Sequence, residues 1–309
     1  MMKTKKIFTI LICALVLTAC SLPGLGENAK KDVVIAAAND TERQILAQMQ
    51  KQIIEHYTDL HVDIINNLGS TTLIHTTMLK GDVNMASGMY TGTSLTGELG
   101  MDPIIEPELA MKTVQKEYLK RYNRVWFPSY GFANTYAFMV SEEFAKENNL
   151  EKVSDLLNLK DTIRVGVDTS WLDRKGDGYE DFQKKYGFAF KKIYPMELGL
   201  LYSAVKNGEM DAVLGYSTDG RINSYNLVLL EDDMQLFPAY ECSPVASKEI
   251  LDTHEELYDV IYKLTDRIDT TTMQQMNRRA AEDLVEPQVV AREFLEENNF
   301  FEKDEVMKW

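Results

Sequence analysis

The sequence predicts an α/β protein of two lobes, on three observations. A short unit is written twice: Lys80 to Thr93 and Lys206 to Gly220 each read as a helix end, a short apolar strand and a small-residue turn carrying one tyrosine, Tyr90 and then Tyr216. Ligands in open α/β sheets bind beyond the carboxyl ends of the strands, so the two copies put a tyrosine at a strand tip in each lobe. Strands and helices alternate along the chain, the order that builds a parallel sheet with covered faces. Finally, 309 residues are more than one core is expected to serve.

The elements follow in order. Val33 to Ala38 is an unbroken apolar run, which reads as a buried strand. Cap-type residues Asn39 to Glu42 open a helix through Tyr57. Val62 to Ile65 is the next strand, Gly69 to Thr72 open a helix ending near Gly81, and Val83 to Ala86 is the third strand. Glu106 to Tyr122 is helical, with apolar positions at Leu109, Val114 and Leu119. The aromatic stretch Trp126 to Phe132, broken by Pro128 and Gly131, leads to a crossover, and Thr135 to Val140 is a strand leaving the first lobe. A second series follows: a capped short helix at Ser154 to Leu157, a strand at Ile163 to Val167, helices at Tyr179 to Tyr186 and Pro195 to Asn207, and a strand at Met210 to Leu214. Val228 to Leu230 is the last strand before Phe237 to Tyr240 return the chain. From Lys248 onward three helical pieces are expected to pack on the first lobe. Two crossings make a hinge, and clefts between lobes are preferred small-molecule sites.

The N-terminus reads as a targeting segment. Lys3, Lys5 and Lys6 precede an apolar run from Ile7 to Leu17, too short to span a membrane stably. Leu17-Thr18-Ala19-Cys20 resembles the bacterial lipobox, in which the chain is cut before the cysteine and the thiol is lipidated. Residues 1–19 are thus expected as signal peptide and 20–31 as a lipidated tether. The acyl chains on Cys20 hold the protein on the membrane, at about 0.8 kcal/mol per buried methylene. Losing Lys3, Lys5 and Lys6 with the leader takes the net charge from −15 to −18. A body so acidic disfavours nucleic acid and anionic lipid surfaces and suits cationic or zwitterionic ligands. With Cys13 removed and Cys20 lipidated, Cys242 stands alone, so no intramolecular disulfide is possible; it reads as a buried small hydrophobe. The four histidines show no metal spacing, and phosphate-loop and nucleophile-elbow motifs are absent, so no cofactor, metal or catalytic residue is expected.

Several segments together carry a family resemblance: Asn67 to Ser70, Tyr90 to Thr93, Ser129 to Phe138, Gly166 to Asp168, Arg174 to Tyr179, Tyr216 to Arg221 and Tyr240 to Pro244. In these the chain resembles the substrate-binding lipoproteins of ABC importers for glycine betaine, carnitine and choline. The resemblance implies a two-lobed, Venus-flytrap fold of the type II periplasmic-binding-protein kind with two crossover strands. Residues 32–133 and 236–309 then form lobe I, and residues 134–235 lobe II. It also implies a monomer, lipid-anchored outside the cell membrane, that passes ligand to a permease served by an ATPase subunit. In that family the trimethylammonium head sits among four tyrosines, and the matching positions are Tyr90, Tyr136, Tyr216 and Tyr240. The physics suits the task. A quaternary ammonium donates no hydrogen bond, and the negative face of an aromatic ring attracts it at about 0.5–2 kcal/mol per contact. Thr93, at an expected helix N-terminus, matches a position that donates to the ligand carboxylate, where backbone amides favour anions. The chain departs from the pattern at Ala38, where some relatives carry glutamine; Asn39 or Asp40 is left to supply that donor.

Alternatives stay open at this level. A polar amino acid would need an arginine facing its carboxylate and an acid facing its amine, and Arg221 and Asp219 flank Tyr216. A surface-anchored hydrolase is the rival of another class, since catalytic groups need not be local in sequence. Arg174 to Tyr179 reads as a glycine-rich solvated turn, with a cleft rim or a permease contact as the other readings. Trp171 reads as packing.

Overall fold

The computed structural model describes residues 33–302, apart from 175 and 239. The expected signal peptide, Cys20 and the tether lie outside the described residues. Among the described residues two five-stranded sheets form.

The first sheet grows from β1 (Val33–Ala38), whose six residues are all buried. Its alternate side chains feed two cores: Val33, Ile35 and Ala37 on one face, and Val34, Ala36 and Ala38 on the other. β2 (Val62–Leu68) and β3 (Met85–Tyr90) pair parallel to it. The helix Thr41–Tyr57 starts where the Asp40 side chain accepts from the Arg43 amide at 2.9 Å. The helix Thr71–Lys80 is capped by Ser70 and stopped by Gly81 in the left-handed region, φ 78°. The helix Pro107–Tyr122 buries Ala110, Val114 and Tyr118, one residue every turn, while Leu109 and Leu119 face solvent, contrary to expectation.

The second sheet repeats this plan with β6 (Arg164–Asp168), β7 (Lys192–Met196) and β8 (Ala212–Tyr216), all parallel. In each sheet one strand, lying next to a crossing segment, joins antiparallel. β5 (Tyr136–Ser141) pairs with β8 and with β9 (Leu227–Leu229), and β10 (Cys242–Ser247) pairs with β3 and with β4 (Arg124–Trp126). Both sheets are therefore mixed, not parallel. The two crossing segments run side by side: Asn134 N donates to Tyr240 O at 3.1 Å and Cys242 N to Phe132 O at 3.1 Å.

Several expectations need correction. The strands expected at Val83–Ala86 and Met210–Leu214 run on to Tyr90 and Tyr216. Their glycines are not turn residues. A Cβ on Gly88 would sit 3.0 Å from Cys242 Sγ, and one on Gly215 2.7 Å from the Tyr202 hydroxyl, so each glycine marks a close approach inside a strand. The strand expected at Val228–Leu230 is β9, the last before the return of the chain, but a further strand, β10, follows the return where none was expected, its pattern concealed by Ser243 and Pro244. Pro195 does not open a helix. It lies in β7, an edge strand, where a missing N–H is tolerated, and the helix is Leu198–Lys206. From Lys248 onward the described residues form four helices rather than three: Lys248–Thr253, Glu256–Tyr262, Thr270–Ala281 and Pro287–Glu297. Leu257, Met273 and Val290 from the last three join the core of the first sheet, as expected. Trp171 and Cys242 are buried, also as expected. Among the described residues, no helix is long and apolar enough to cross a membrane.

Candidate functional site

The topology brings the tyrosines together. β3 and β8 run parallel to their inner neighbours and end in Tyr90 and Tyr216. β5 and β10 run antiparallel to them, so the beginnings of β5 and β10 lie beside those ends. Tyr136 is the first residue of β5, and Tyr240 lies two residues before β10. All four tyrosines line one cavity of about 660 Å³. Thr93 and Asn39 line it too, Thr93 from the short helix Thr91–Thr96 and Asn39 from the turn after β1. The site residues expected from the sequence thus face a common space.

Tyr136 and Tyr216 stand opposite each other across the β5–β8 ladder, with ring centroids 5.2 Å apart. Phe237 supports Tyr136 from 5.7 Å. Burial pushes the hydroxyls of Tyr90, Tyr216 and Tyr240 up, so all three remain neutral phenols. Their hydroxyls are occupied where partners are recorded. Tyr90 Oη donates to Glu42 Oε1 at 2.6 Å, and Tyr240 Oη donates to Asp177 Oδ2 at 3.0 Å.

Four charged residues on the cavity, Glu42, Arg43, Arg174 and Glu282, are not among the site residues expected from the sequence. Arg174 was read as belonging to a solvated turn. Instead it lines the cavity, its guanidinium carbon 5.4 Å from the centre of the Tyr136 ring. It donates to Tyr240 Oη at 2.6 Å and is held by Asp177 Oδ1 at 2.5 Å. Glu42 sits in the first turn of the helix Thr41–Tyr57 and is buried. Its Oε1 accepts from Tyr90 Oη and from Asn134 Nδ2 at 3.1 Å, and its Oε2 from Asn277 Nδ2 at 3.2 Å; the Thr218 hydroxyl bonds it as well. An acid in a first helical turn is the usual solvated, dipole-stabilised residue, so local sequence carried no sign of its burial.

Arg221 and Asp219 also line the cavity, but they are spent on each other. Arg221 Nε donates to Asp219 Oδ1 at 2.8 Å and Nη2 to Oδ2 at 2.7 Å, while Nη1 reaches Gly199 O at 2.8 Å. Arg43 is similarly clamped on Asp40, with Nε to Oδ2 at 2.7 Å. Ala38 is fully buried at the end of β1, and its side chain donates nothing.

Residues 31–297 match the family model described as the substrate-binding domain of an ABC-type glycine betaine transport system. Over 293 residues the chain is 50% identical to the carnitine transport binding protein OpuCC of Listeria monocytogenes, the match covering 95% of each chain. It is 30% identical over 303 residues to a glycine-betaine-binding protein of Pseudomonas aeruginosa, covering 94% of this chain and 96% of that one. A solved structure, the crystal structure of a glycine betaine/carnitine/choline ABC transporter, matches with a TM-score of 0.85 at 46% identity, covering 87% of this chain and 100% of that one. The two mixed sheets are thus those of a two-lobed, periplasmic-binding-protein-like fold.

Proposed function

Because the chain belongs to the family of substrate-binding domains of ABC-type glycine betaine transport systems, we propose that its cavity captures glycine betaine, carnitine and choline outside the cell. The protein then delivers them to a membrane permease driven by a separate ATPase subunit. One observation carries the reading: four tyrosines, two from strands of each sheet or their flanks, line a single cavity. Ring faces attract a methylated cation without requiring it to donate a hydrogen bond. A site drawn from both sheets also links capture to lobe closure.

The lobes divide at the two crossings, residues 32–133 with 236–309 against residues 134–235, and the paired crossing segments act as the hinge. Cys20 carries the lipid that holds the protein, as a monomer, on the outer membrane face. Thr93 and Asn39 donate to the ligand carboxylate, and the Arg174 guanidinium beside the tyrosines adds a cation for it. The family is one of transport proteins, and this chain binds without turning its ligand over. The amino-acid reading loses its support in the geometry, since Arg221 and Asp219 satisfy each other.

A calorimetric panel of choline, carnitine, glycine betaine, glutamate and arginine tests the reading. Heat from the first three and none from the last two is expected. Binding of glutamate or arginine alone, or conversion of choline or carnitine to a product, overturns it.

A further inference from the structure

The helix Thr270–Ala281 packs on the first sheet through Met273 and Met276. On an adjoining face it presents Gln274 and Asn277, one turn apart and both buried, to the turn that follows β8 of the second sheet. Gln274 Nε2 donates to Ser217 O at 2.7 Å, and its Oε1 accepts from Asn223 Nδ2 at 3.2 Å. A backbone carbonyl can only accept, so the Ser217 bond fixes which way the Gln274 amide points. Asn277 Nδ2 donates to Thr218 O at 2.9 Å, and its Oδ1 accepts from Thr41 Oγ1 at 3.0 Å. Gly220 permits this approach, since a Cβ there would fall 2.4 Å from the Arg278 backbone. Asn277 lines the cavity, whereas Gln274 and Asn223 stand outside its lining.

We propose that Gln274 is a positioning residue for ligand capture: it latches residues 236–309 onto residues 134–235 in the closed form, and so sets the affinity for every ligand by one common factor without touching any of them. Ser217 and Thr218 directly follow Tyr216 in the chain, so the latch holds the Tyr216 ring on the same cavity as Tyr90. Opening the lobes breaks the Gln274 bonds and closing remakes them. A ligand that needs the closed form gains those bonds whatever its own chemistry, because each ligand meets the same closing equilibrium.

The inference rests on the reading of the cavity as a capture site between two lobes. It adds a salt signature. Amides and carbonyls carry the latch, and the arginines of the two segments are paired on their own sides, Arg221 with Asp219 and Arg278 with Asp283. A latch of neutral groups in a buried seam is not screened by salt, as an exposed ion pair is.

The test is calorimetry of choline, carnitine and glycine betaine on the full folded protein. Gln274→Met keeps the length of the side chain and removes both of its bonds. All three ligands weaken together by ~10-fold, the scale of two neutral hydrogen bonds, and the ratios among them stay as in the wild type. The deficit is the same at ~0.1 M and ~1 M salt. Asn223→Ala, at an exposed residue, removes one bond from the other side and weakens all three by ~3-fold. The double variant loses less than the product of the two, because they share one contact. Circular dichroism melts report folding; if Gln274→Met does not fold, Asn223→Ala decides. A Gln274 that serves the fold alone lowers the melting temperature and leaves the three dissociation constants unchanged, which overturns the inference. A loss confined to one ligand, or a deficit that vanishes in high salt, overturns it as well. A wild-type protein that binds none of the three overturns the underlying reading of the cavity, and the latch with it.

Discussion

Tyr136 and Tyr216 face each other across the β5–β8 ladder, their ring centroids 5.2 Å apart and their planes tilted by 43°. The pairing is a consequence of strand direction. β8 ends at Tyr216 and β5 begins at Tyr136, and only an antiparallel neighbour puts a beginning beside an end. Tyr90 and Tyr240 bear the same relation to β3 and β10 in the other sheet, with one displacement, since Tyr240 precedes its strand.

Removing one ring is therefore expected to remove one proposed cation contact and leave the ladder intact. In Tyr136→Ala the dissociation constant for glycine betaine rises ~10-fold, within the range expected of one cation–π contact plus lost ring packing, whereas Tyr136→Phe stays within ~3-fold. Isothermal titration of the two variants separates ring from hydroxyl. An alanine variant that binds like the wild type removes Tyr136 from the site.

How much of this could be read from the chain depends on what was local. β1 and the caps at Asp40, Ser70 and Gly81 follow from short-range chemistry, and the sequence indicates them closely. The four tyrosines were reached through resemblance, and the structure brings all of them to one cavity. What sequence patterns concealed was determined at long range. β10 carries no strand signal in the sequence because Ser243 and Pro244 interrupt its apolar run, yet all six of its residues are buried between β3 and β4. Gly88 and Gly215 look like turns because only the neighbouring strand and helix reveal the close approach. Arg174 hid in a glycine-rich stretch, and Glu42 hid as an ordinary first-turn acid.

The second sheet is fastened at the foot of β6 by Asp211. Its Oδ2 accepts from the Arg164 backbone N–H at 2.8 Å and from Arg164 Nε at 3.1 Å. Burial pushes the Asp211 carboxyl up, but the hydrogen bonds and charge of Arg164 outweigh it and hold the group below the usual carboxylate range. A depressed folded value means stability that is present above the unfolded value and lost as pH falls through the folded one. Asp211→Asn therefore lowers the melting temperature at neutral pH, by about 1.5–3 kcal/mol of stability for charge-assisted bonds. The gap between variant and wild type closes in acid, as pH falls from the ordinary carboxylate value through the depressed folded one, below which both carry a neutral side chain. Thermal melts at neutral and acid pH check this; a gap that persists in acid assigns the loss to packing.

Gly220 fixes the spacing between the turn after β8 and the helix Thr270–Ala281. A Cβ there would fall 2.4 Å from both the nitrogen and the Cα of Arg278, backbone atoms that cannot give way. Around it Gln274 Nε2 donates to Ser217 O at 2.7 Å, and Asn277 Nδ2 to Thr218 O at 2.9 Å. Gly220→Ala forces these segments apart and destabilises the fold by about 2 kcal/mol, as overpacking does. Because Tyr216 and Thr218 line the cavity just before this turn, ligand affinity falls as well. A variant with unchanged melting temperature and affinity indicates that the helix yields.

If the cavity takes the proposed ligands, Arg174 is expected to distinguish those that carry a carboxylate from those that do not. Its guanidinium lies 5.4 Å from the Tyr136 ring centre and bonds the Tyr240 hydroxyl, so it stands beside two of the rings proposed to hold the ammonium. Asp177 takes its Nε and Tyr240 its Nη2, and arginine has five N–H groups, so donors remain for a ligand anion. Glycine betaine and carnitine bring that anion; choline brings only a hydroxyl and the same positive head. In Arg174→Ala the first two lose a charge-assisted hydrogen bond, worth about 1.5–3 kcal/mol or ~10–150-fold in affinity. Choline loses far less, because the substitution also removes a like charge from the neighbourhood of its ammonium. The ratio of betaine to choline affinity in the variant, measured by calorimetry against the wild type, should therefore fall by an order of magnitude or more. Equal losses for all three ligands would instead make Arg174 a brace for Tyr240, acting on the ring and not on the anion.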